Sequence, residues 1–131
     1  TCFSCFKQRF GRGQTYAYDL SDLSQYYMHY ARLMDFWHLQ YPGEILDVEY
    51  GALVRVPDKV IREILDFCGL PFEEACLDFH ATSRVINSAS SEQVREPLYQ
   101  RSLDQWRNFE PFMSALTDPL SELLWKYQNM E

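Results

Sequence analysis

The chain has 131 residues, of which 47% are hydrophobic and 16% aromatic, and its formal net charge is −7. This length suffices for one domain with a hydrophobic core, and the composition excludes a disordered chain. The acidic balance excludes the broad basic face of a general nucleic-acid binder, and no apolar run is long enough to span a membrane.

The sequence starts at Thr1 within an apolar pattern, without a signal peptide. We therefore expect a fragment of a longer protein, folded as a single domain over residues 1–131. Cys2 and Cys5 form one C-x-x-C pair, but neither a second pair for a zinc site nor the βαβ frame of a redox site follows. We interpret the cysteines as small hydrophobic residues, predict no metal site, and expect a reducing, cytoplasmic setting.

The sequence pattern in the first half of the chain predicts two helices. Residues 1–10 resemble the end of a helix, which the glycines of residues 11–14 interrupt. Asp19 or Ser21 then caps a long helix that stops before Pro42. Its apolar residues alternate three and four apart and so share one face: Leu20, Leu23, Tyr27, Tyr30, Met34 and Trp37.

Residues 44–50 alternate in polarity as a strand does, and predict the one short strand of a mainly α chain. A single strand cannot satisfy its own backbone hydrogen bonds, so we expect its partner strands in an absent upstream part or in a second copy of the chain. Four later helices are predicted. The first opens at Pro57 and ends at Gly69, and a short one follows over residues 72–79. Ser102 caps a third that runs through Phe109, and the last extends from Pro119 to near Asn129.

An irregular stretch over residues 84–99 combines hydroxyl side chains, Gln93, Arg95 and a turn stiffened by Pro97. Such loops offer hydroxyl and backbone N–H donors to phosphate oxygens, and an arginine adds a charge-assisted pair of hydrogen bonds. The alternative from these residues alone is an ordinary solvated turn.

This stretch and its continuation resemble the pattern TASxxQVRxPxYxxSxxxWRxYE of bacterial sulfotransferases, including those with upstream tetratricopeptide repeats. It is more distantly similar to the protein-tyrosine sulfotransferases. The resemblance covers almost the whole chain, since TCFSCFKQRFGRGQTYAYDLSDL and VEYGALVRVPDKVIREILDFCGLPFEEACLDFH also resemble family segments. It implies the helical C-terminal portion of an α/β, P-loop-like fold that uses 3′-phosphoadenosine 5′-phosphosulfate (PAPS) and leaves 3′-phosphoadenosine 5′-phosphate (PAP).

The resemblance also implies which residues bind the nucleotide. Ser4 matches the serine that ends the 3′-phosphate motif, and Tyr50 matches a tyrosine whose ring lies against the adenine. The loop that wraps the nucleotide supplies the remaining candidates: Ser90, Ser91, Gln93, Val94, Arg95, Pro97 and Tyr99.

Among the departures from the family pattern, three bear on nucleotide binding. Gly51 replaces a glutamate, and Gln105 stands where relatives carry an arginine or lysine that contacts the nucleotide. Gln8 stands where the tyrosine-sulfating relatives carry a basic residue, for which Lys7 or Arg9 offers a substitute. Losing the cation at position 105 weakens binding by about 1.5–3 kcal/mol unless another cation, such as Arg101 or Arg107, replaces it.

No catalytic residue is assigned. In the family, the loop that binds the 5′-phosphosulfate and the general base both come from earlier sequence, and we assign none of His29, His38 and His80 to the base. We therefore expect a piece that binds the nucleotide and lacks turnover by itself, with an acceptor that the sequence does not identify.

The alternative hypothesis is a helical interaction or self-assembly module without nucleotide binding, and a P-loop kinase has no supporting motif here. We also predict self-association through the exposed strand and the fragment interface.

Overall fold

The computed structural model of the chain describes residues 1–8, 10–11, 13–81 and 105–129. These residues are mainly helical, as the sequence predicts. They form two compact units, one from Thr1–Glu44 with Gln105–Glu131 and the other from Ile45–Asp104. No helix in the described ranges combines the length and the hydropathy needed to cross a bilayer.

The first unit starts with helix α1 (Cys2–Lys7), a 3₁₀ turn at Thr15–Tyr18, and the long helix α2 (Leu20–Gln40). Asp19 begins α2 because its carboxylate accepts hydrogen bonds from the backbone N–H groups of Ser21 and Asp22. The predicted cap and the predicted stop before Pro42 are both confirmed.

The C-terminal part of this unit contains a 3₁₀ helix at Gln105–Phe112 and the helices α5 (Ser114–Thr117) and α6 (Ser121–Gln128). The helix predicted through Phe109 thus continues past Pro111, and the cap predicted at Ser102 lies outside the described residues. The final helix begins two residues after Pro119. The core of the unit joins α2 to these C-terminal helices through Leu23, Met113, Leu116 and Leu120.

The predicted apolar face of α2 is buried only along its first turns. Leu23 is 3% exposed, whereas Tyr30 is 48% exposed and Trp37 is 38% exposed. The exposed rings pack on each other, since Trp37 lies 5.1 Å from Phe36 and 5.6 Å from Tyr41 between ring centroids. The second half of α2 therefore presents an aromatic surface.

The second unit contains α3 (Tyr50–Arg55) and α4 (Pro57–Phe67), followed by 3₁₀ turns at Glu74–Cys76 and Phe79–Ala81. Val54 and Val60 are its buried apolar residues among those described. α4 begins at Pro57, whose fixed φ suits a first helical position, and Gly69 follows its end with a φ of +66°. Both boundaries of α4 are as predicted.

The strand predicted at residues 44–50 is wrong. Residues 45–49 have no regular secondary structure, and Tyr50 is already the first residue of α3. An isolated extended segment has no partner for its N–H and C=O groups, and the part of the chain that the structure describes contains no strand to pair with it. The single short helix predicted at 72–79 is instead the two 3₁₀ turns.

Candidate functional site

Helix α1 carries the first residue that the sequence predicts for nucleotide binding. Ser4 lies in its middle with an exposed side chain, and Lys7 lies in its last turn, three positions later. Residues three apart in a helix share a face, so the hydroxyl of Ser4 and the ammonium of Lys7 point to the same side. The opposite side contributes Cys2 and Cys5 to the edge of the core, and Phe3, four positions before Lys7, also packs against the core.

Lys7 makes a contact that sequence spacing does not indicate. Its Nζ donates a hydrogen bond to Oε1 of Gln105, which lies 98 positions later. The same ammonium lies 4.9 Å from the centroid of the Phe3 ring, and that ring packs against Phe109 at 5.2 Å between centroids. The hydrogen bond and the ring pair thus join α1 to the 3₁₀ helix Gln105–Phe112.

A second cation belongs to the same 3₁₀ helix. The guanidinium of Arg107 lies 5.5 Å from the centroid of the Trp106 ring, within the range of a cation–π contact.

We call Ser4, Lys7 and Gln105 the α1–105 cluster. Its side chains are exposed and offer ammonium, amide and hydroxyl hydrogens, which are the donors that an anion requires.

Tyr50, the residue predicted to lie against the adenine, belongs to the second unit. It is the first residue of α3, and 51% of its side chain is exposed. The preceding Glu49 caps the helix, since its Oε2 accepts from the backbone N–H of Ala52 at 3.2 Å and pairs with Arg55 at 3.2 Å. The ring is therefore carried by a capped helix start and remains accessible.

The side chain of Glu49 lies close to position 51. A Cβ added there would collide with Oε1 of Glu49 and would lie 3.1 Å from Nη1 of Arg55. The Glu49 carboxylate thus occupies the space beside residue 51, so that a carboxylate precedes Tyr50 in the chain instead of following it. The letters E-Y-G are the signal from which sequence reasoning could have found this exchange.

The loop candidates, namely Ser90, Ser91, Gln93, Val94, Arg95, Pro97 and Tyr99, lie outside the described residues. Arg9 and Arg101, two of the substitutes considered for missing cations, lie outside them as well. Within the described ranges no group of three or more histidine, cysteine or acidic side chains has an arrangement that would hold a metal ion. All four cysteines are free thiols.

An apolar cavity of about 160 Å³ lies in the first unit. Its walls include the core residues Leu116 and Leu120, together with Cys2, Tyr27 and Tyr127. Burial, followed by a hydrogen bond to Tyr127, raises the pKa of Tyr27, and burial raises the pKa of the Cys2 thiol. Both groups are neutral at pH 7 in walls that disfavour charge, so this cavity is unsuited to a phosphate or a sulfate.

Comparison with known proteins identifies the family. The sequence profile described as "Sulfotransferase family" matches residues 1–74, which is more than half of the chain. The chain belongs to the sulfotransferase family. The matched residues include Ser4, Lys7 and Tyr50, and they end before the loop predicted to wrap the nucleotide.

One curated relative of this sulfotransferase-family chain is an uncharacterized protein of Aquifex aeolicus (strain VF5). The two sequences are 34% identical over 116 residues, which is 88% of this chain and 15% of the relative. The chain thus spans about 15% of the length of the curated relative it matches. No solved structure matches the chain.

Proposed function

We propose that this chain is the part of a PAPS-dependent sulfotransferase that binds the nucleotide of the sulfate donor. The observation that carries the proposal is the hydrogen bond from Lys7 to Gln105. It joins the segment of Ser4 to position 105, and the resemblance assigns both to contacts with the nucleotide. The family match over residues 1–74 covers the first of these segments.

The α1–105 cluster suits a phosphate group by its chemistry. A phosphate monoester carries about 1.5–2 negative charges at pH 7 and three strong acceptor oxygens. Lys7 supplies a positive charge, while Ser4 and Gln105 supply neutral donors, and the exposure of all three leaves room for a ligand. The 3′-phosphate of PAPS is the group that we assign to this cluster.

The resemblance also assigns Tyr50 and the loop Ser90–Tyr99 to contacts with the nucleotide. Stacking of a base on an aromatic side chain contributes about 1–3 kcal/mol, and the exposed Tyr50 ring has a face available for it. The loop contributes hydroxyl donors, and Arg95 adds a second cation.

Sulfuryl transfer to an acceptor hydroxyl or amine is the reaction that we propose for the longer protein. The reaction requires the donor and the acceptor oxygen or nitrogen in line, charge neutralisation on the moving group, and removal of a proton from the acceptor. This chain contributes binding and orientation of the donor, and we assign no general base to it. We therefore expect no turnover from residues 1–131 alone, and we place the protein in a reducing, cytoplasmic setting that suits its free thiols.

A second function rests on the aromatic surface of α2. Tyr30, Phe36, Trp37 and Tyr41 are each 38–53% exposed, and clustered aromatic side chains are typical of association surfaces. The corresponding hypothesis is an interaction or self-assembly module that is indifferent to nucleotide, and it includes the predicted self-association of the chain.

A thermal shift with PAP separates the two functions. Nucleotide that binds only the folded chain raises the unfolding midpoint as its concentration rises. We expect this shift in the native chain and expect Tyr50→Ala and Arg95→Ala to abolish most of it. Tyr41→Ala is the matched control, because its ring is exposed to nearly the same degree as that of Tyr50, and it retains the full shift.

The opposite pattern supports the interaction module. A native chain whose midpoint does not respond to PAP at millimolar concentration, and which Tyr41→Ala converts from an oligomer to a monomer in light scattering, would reject the nucleotide-binding proposal.

A further inference from the structure

The hydrogen bond between Lys7 and Gln105 changes the hydrogen-bonding character of both groups. Oε1 of Gln105 accepts from the ammonium, so the Nε2 end of the amide is left to donate. The ammonium of Lys7 donates one of its N–H groups to this amide, and its other N–H groups are left to donate. Position 105 thereby acquires a positive charge and several outward donors at one point, although its own side chain is neutral.

Aromatic packing holds the ammonium at this point. It lies 4.9 Å from the Phe3 centroid, one helical turn back on α1, and Phe3 is itself packed against Phe109. A lysine held by a ring and an amide loses less rotamer freedom on binding an anion than a lysine that is free in solvent. The position of the charge is therefore set before any ligand arrives.

Arg107, a second described cation of this region, contacts an aromatic ring. The guanidinium of Arg107 is engaged over the Trp106 ring, two positions beyond Gln105. Lys7 is the cation whose ammonium touches the Gln105 side chain, and Ser4 lies on the same face of α1 as Lys7.

We infer that Lys7 supplies from α1 the positive charge that position 105 lacks, so that Lys7 and Gln105 act as one unit in binding the 3′-phosphate. This inference rests on the proposed function and makes a narrower claim. The charge beside residue 105 thus comes from α1, since the ammonium of Lys7 contacts the Gln105 amide. Lys7 is the residue that determines affinity for the 3′-phosphate over a hydroxyl.

Moving the positive charge from position 7 to position 105 tests the inference. Lys7→Gln removes the charge, and Lys7→Gln combined with Gln105→Lys returns it from the other segment. Calorimetric titration with PAP at low salt should show about a tenfold to a hundredfold loss of affinity for Lys7→Gln, the range of a lost charged hydrogen bond. The double variant should recover to within about threefold of the native value, because the ammonium regains the same place.

Lys126→Gln and adenosine 5′-phosphate provide the controls. Lys126 is likewise an exposed lysine in the last turn of a helix, and its replacement changes the net charge by the same amount. Lys126→Gln should leave the affinity for PAP unchanged. Adenosine 5′-phosphate lacks the 3′-phosphate, so its affinity should not respond to Lys7→Gln.

The possible results separate this inference from the proposed function. A native chain that binds PAP with an affinity equal to that of Lys7→Gln overturns the inference and leaves the proposed function standing. A double variant that folds, by circular dichroism, but binds no better than Lys7→Gln also overturns it. If the native chain does not bind PAP, the proposed function fails and the inference fails with it.

Discussion

The two units of the chain differ in how far apart in the sequence their contacting residues lie. In the first unit, α2 packs against α5, and the core residues Leu23 and Leu116 come from opposite ends of the sequence. In the second unit, α3 packs against α4, which follows it after a single residue. The first unit therefore requires closure of a long loop, whereas the second is organised by caps and neighbouring helices.

This difference bears on where a ligand site can be held. The α1–105 cluster exists only when the two ends of the chain have come together, since its lysine and its glutamine are 98 positions apart. The placement of Tyr50 depends on a cap one residue away. Stability of the first unit should therefore control phosphate binding, and local helix chemistry should control presentation of the aromatic ring.

The largest effect is expected in the core of the first unit. Leu116 is 4% exposed and borders the cavity, so Leu116→Ala should cost about 2–5 kcal/mol in the free energy of unfolding. Val60 is 7% exposed in the second unit, and Val60→Ala removes less volume, with an expected cost of about 1–2 kcal/mol. Urea unfolding gives both values, and hydrogen exchange shows which helices lose protection.

Hydrogen exchange should show that Leu116→Ala and Val60→Ala destabilise different units. Leu116→Ala should expose amides of α2 and α5, and Val60→Ala those of α3 and α4. Leu39→Ala is the control, because that side chain is 79% exposed and its removal should change the free energy of unfolding by less than about 0.5 kcal/mol. Equal loss of protection in both units from either variant would contradict the comparison.

An intermediate effect is expected at Gly51 in the second unit. Alanine is a better helix residue than glycine by about 0.5–1 kcal/mol, but its Cβ would displace the Glu49 carboxylate that caps α3 and pairs with Arg55. Loss of the cap costs about 1 kcal/mol and loss of the exposed pair up to about 1 kcal/mol. We expect Gly51→Ala to destabilise the native chain by about 1 kcal/mol.

Gly51→Ala should have the opposite effect on the free energy of unfolding once the Glu49 carboxylate is removed. In a Glu49→Ala background, Gly51→Ala should stabilise the chain by about 0.5–1 kcal/mol, since only the gain in helix propensity remains. A double-mutant cycle by urea unfolding measures this coupling. Equal effects of Gly51→Ala in both backgrounds would show that the Glu49 carboxylate does not constrain residue 51.

The smallest effect is expected from Asp58 on α4. A hydrogen bond from Arg62 lowers the pKa of Asp58 below the ordinary value of 3.8. Since the folded-state pKa is depressed, the stabilisation is present above 3.8 and is lost as the pH falls through the folded value. Asp58→Asn should therefore lower the unfolding midpoint slightly at pH 7 and match the native chain once the pH lies below the folded-state pKa of Asp58. A difference between the two proteins that persists at the lower pH would contradict this origin.

Local chemistry was predictable from the sequence, and long-range placement was not. Asp19, Pro57 and Gly69 mark helix boundaries through side-chain caps and backbone dihedrals; Asp19 was one of the two predicted caps, and Pro57 and Gly69 were predicted correctly. The polarity alternation of residues 44–50 was misleading, because a strand depends on a partner that its own sequence does not encode.

The candidate site shows the same limit. A helix carrying Ser4 and Lys7 follows from residues 1–10, and the family resemblance marks position 105 as lacking a cation. Their meeting depends on closure of the whole chain, which periodicity does not describe. The close approach of the Glu49 side chain to position 51 likewise depends on a side-chain direction that the sequence pattern does not give.

The central claim is that this chain binds the nucleotide of a sulfate donor through its 3′-phosphate. Calorimetric titration of residues 1–131 with PAP, and in parallel with adenosine 5′-phosphate, tests it most directly. We predict saturable binding of PAP that weakens with salt, and at least about tenfold weaker binding of adenosine 5′-phosphate. Absence of binding, or equal affinity for the two nucleotides, would contradict the claim.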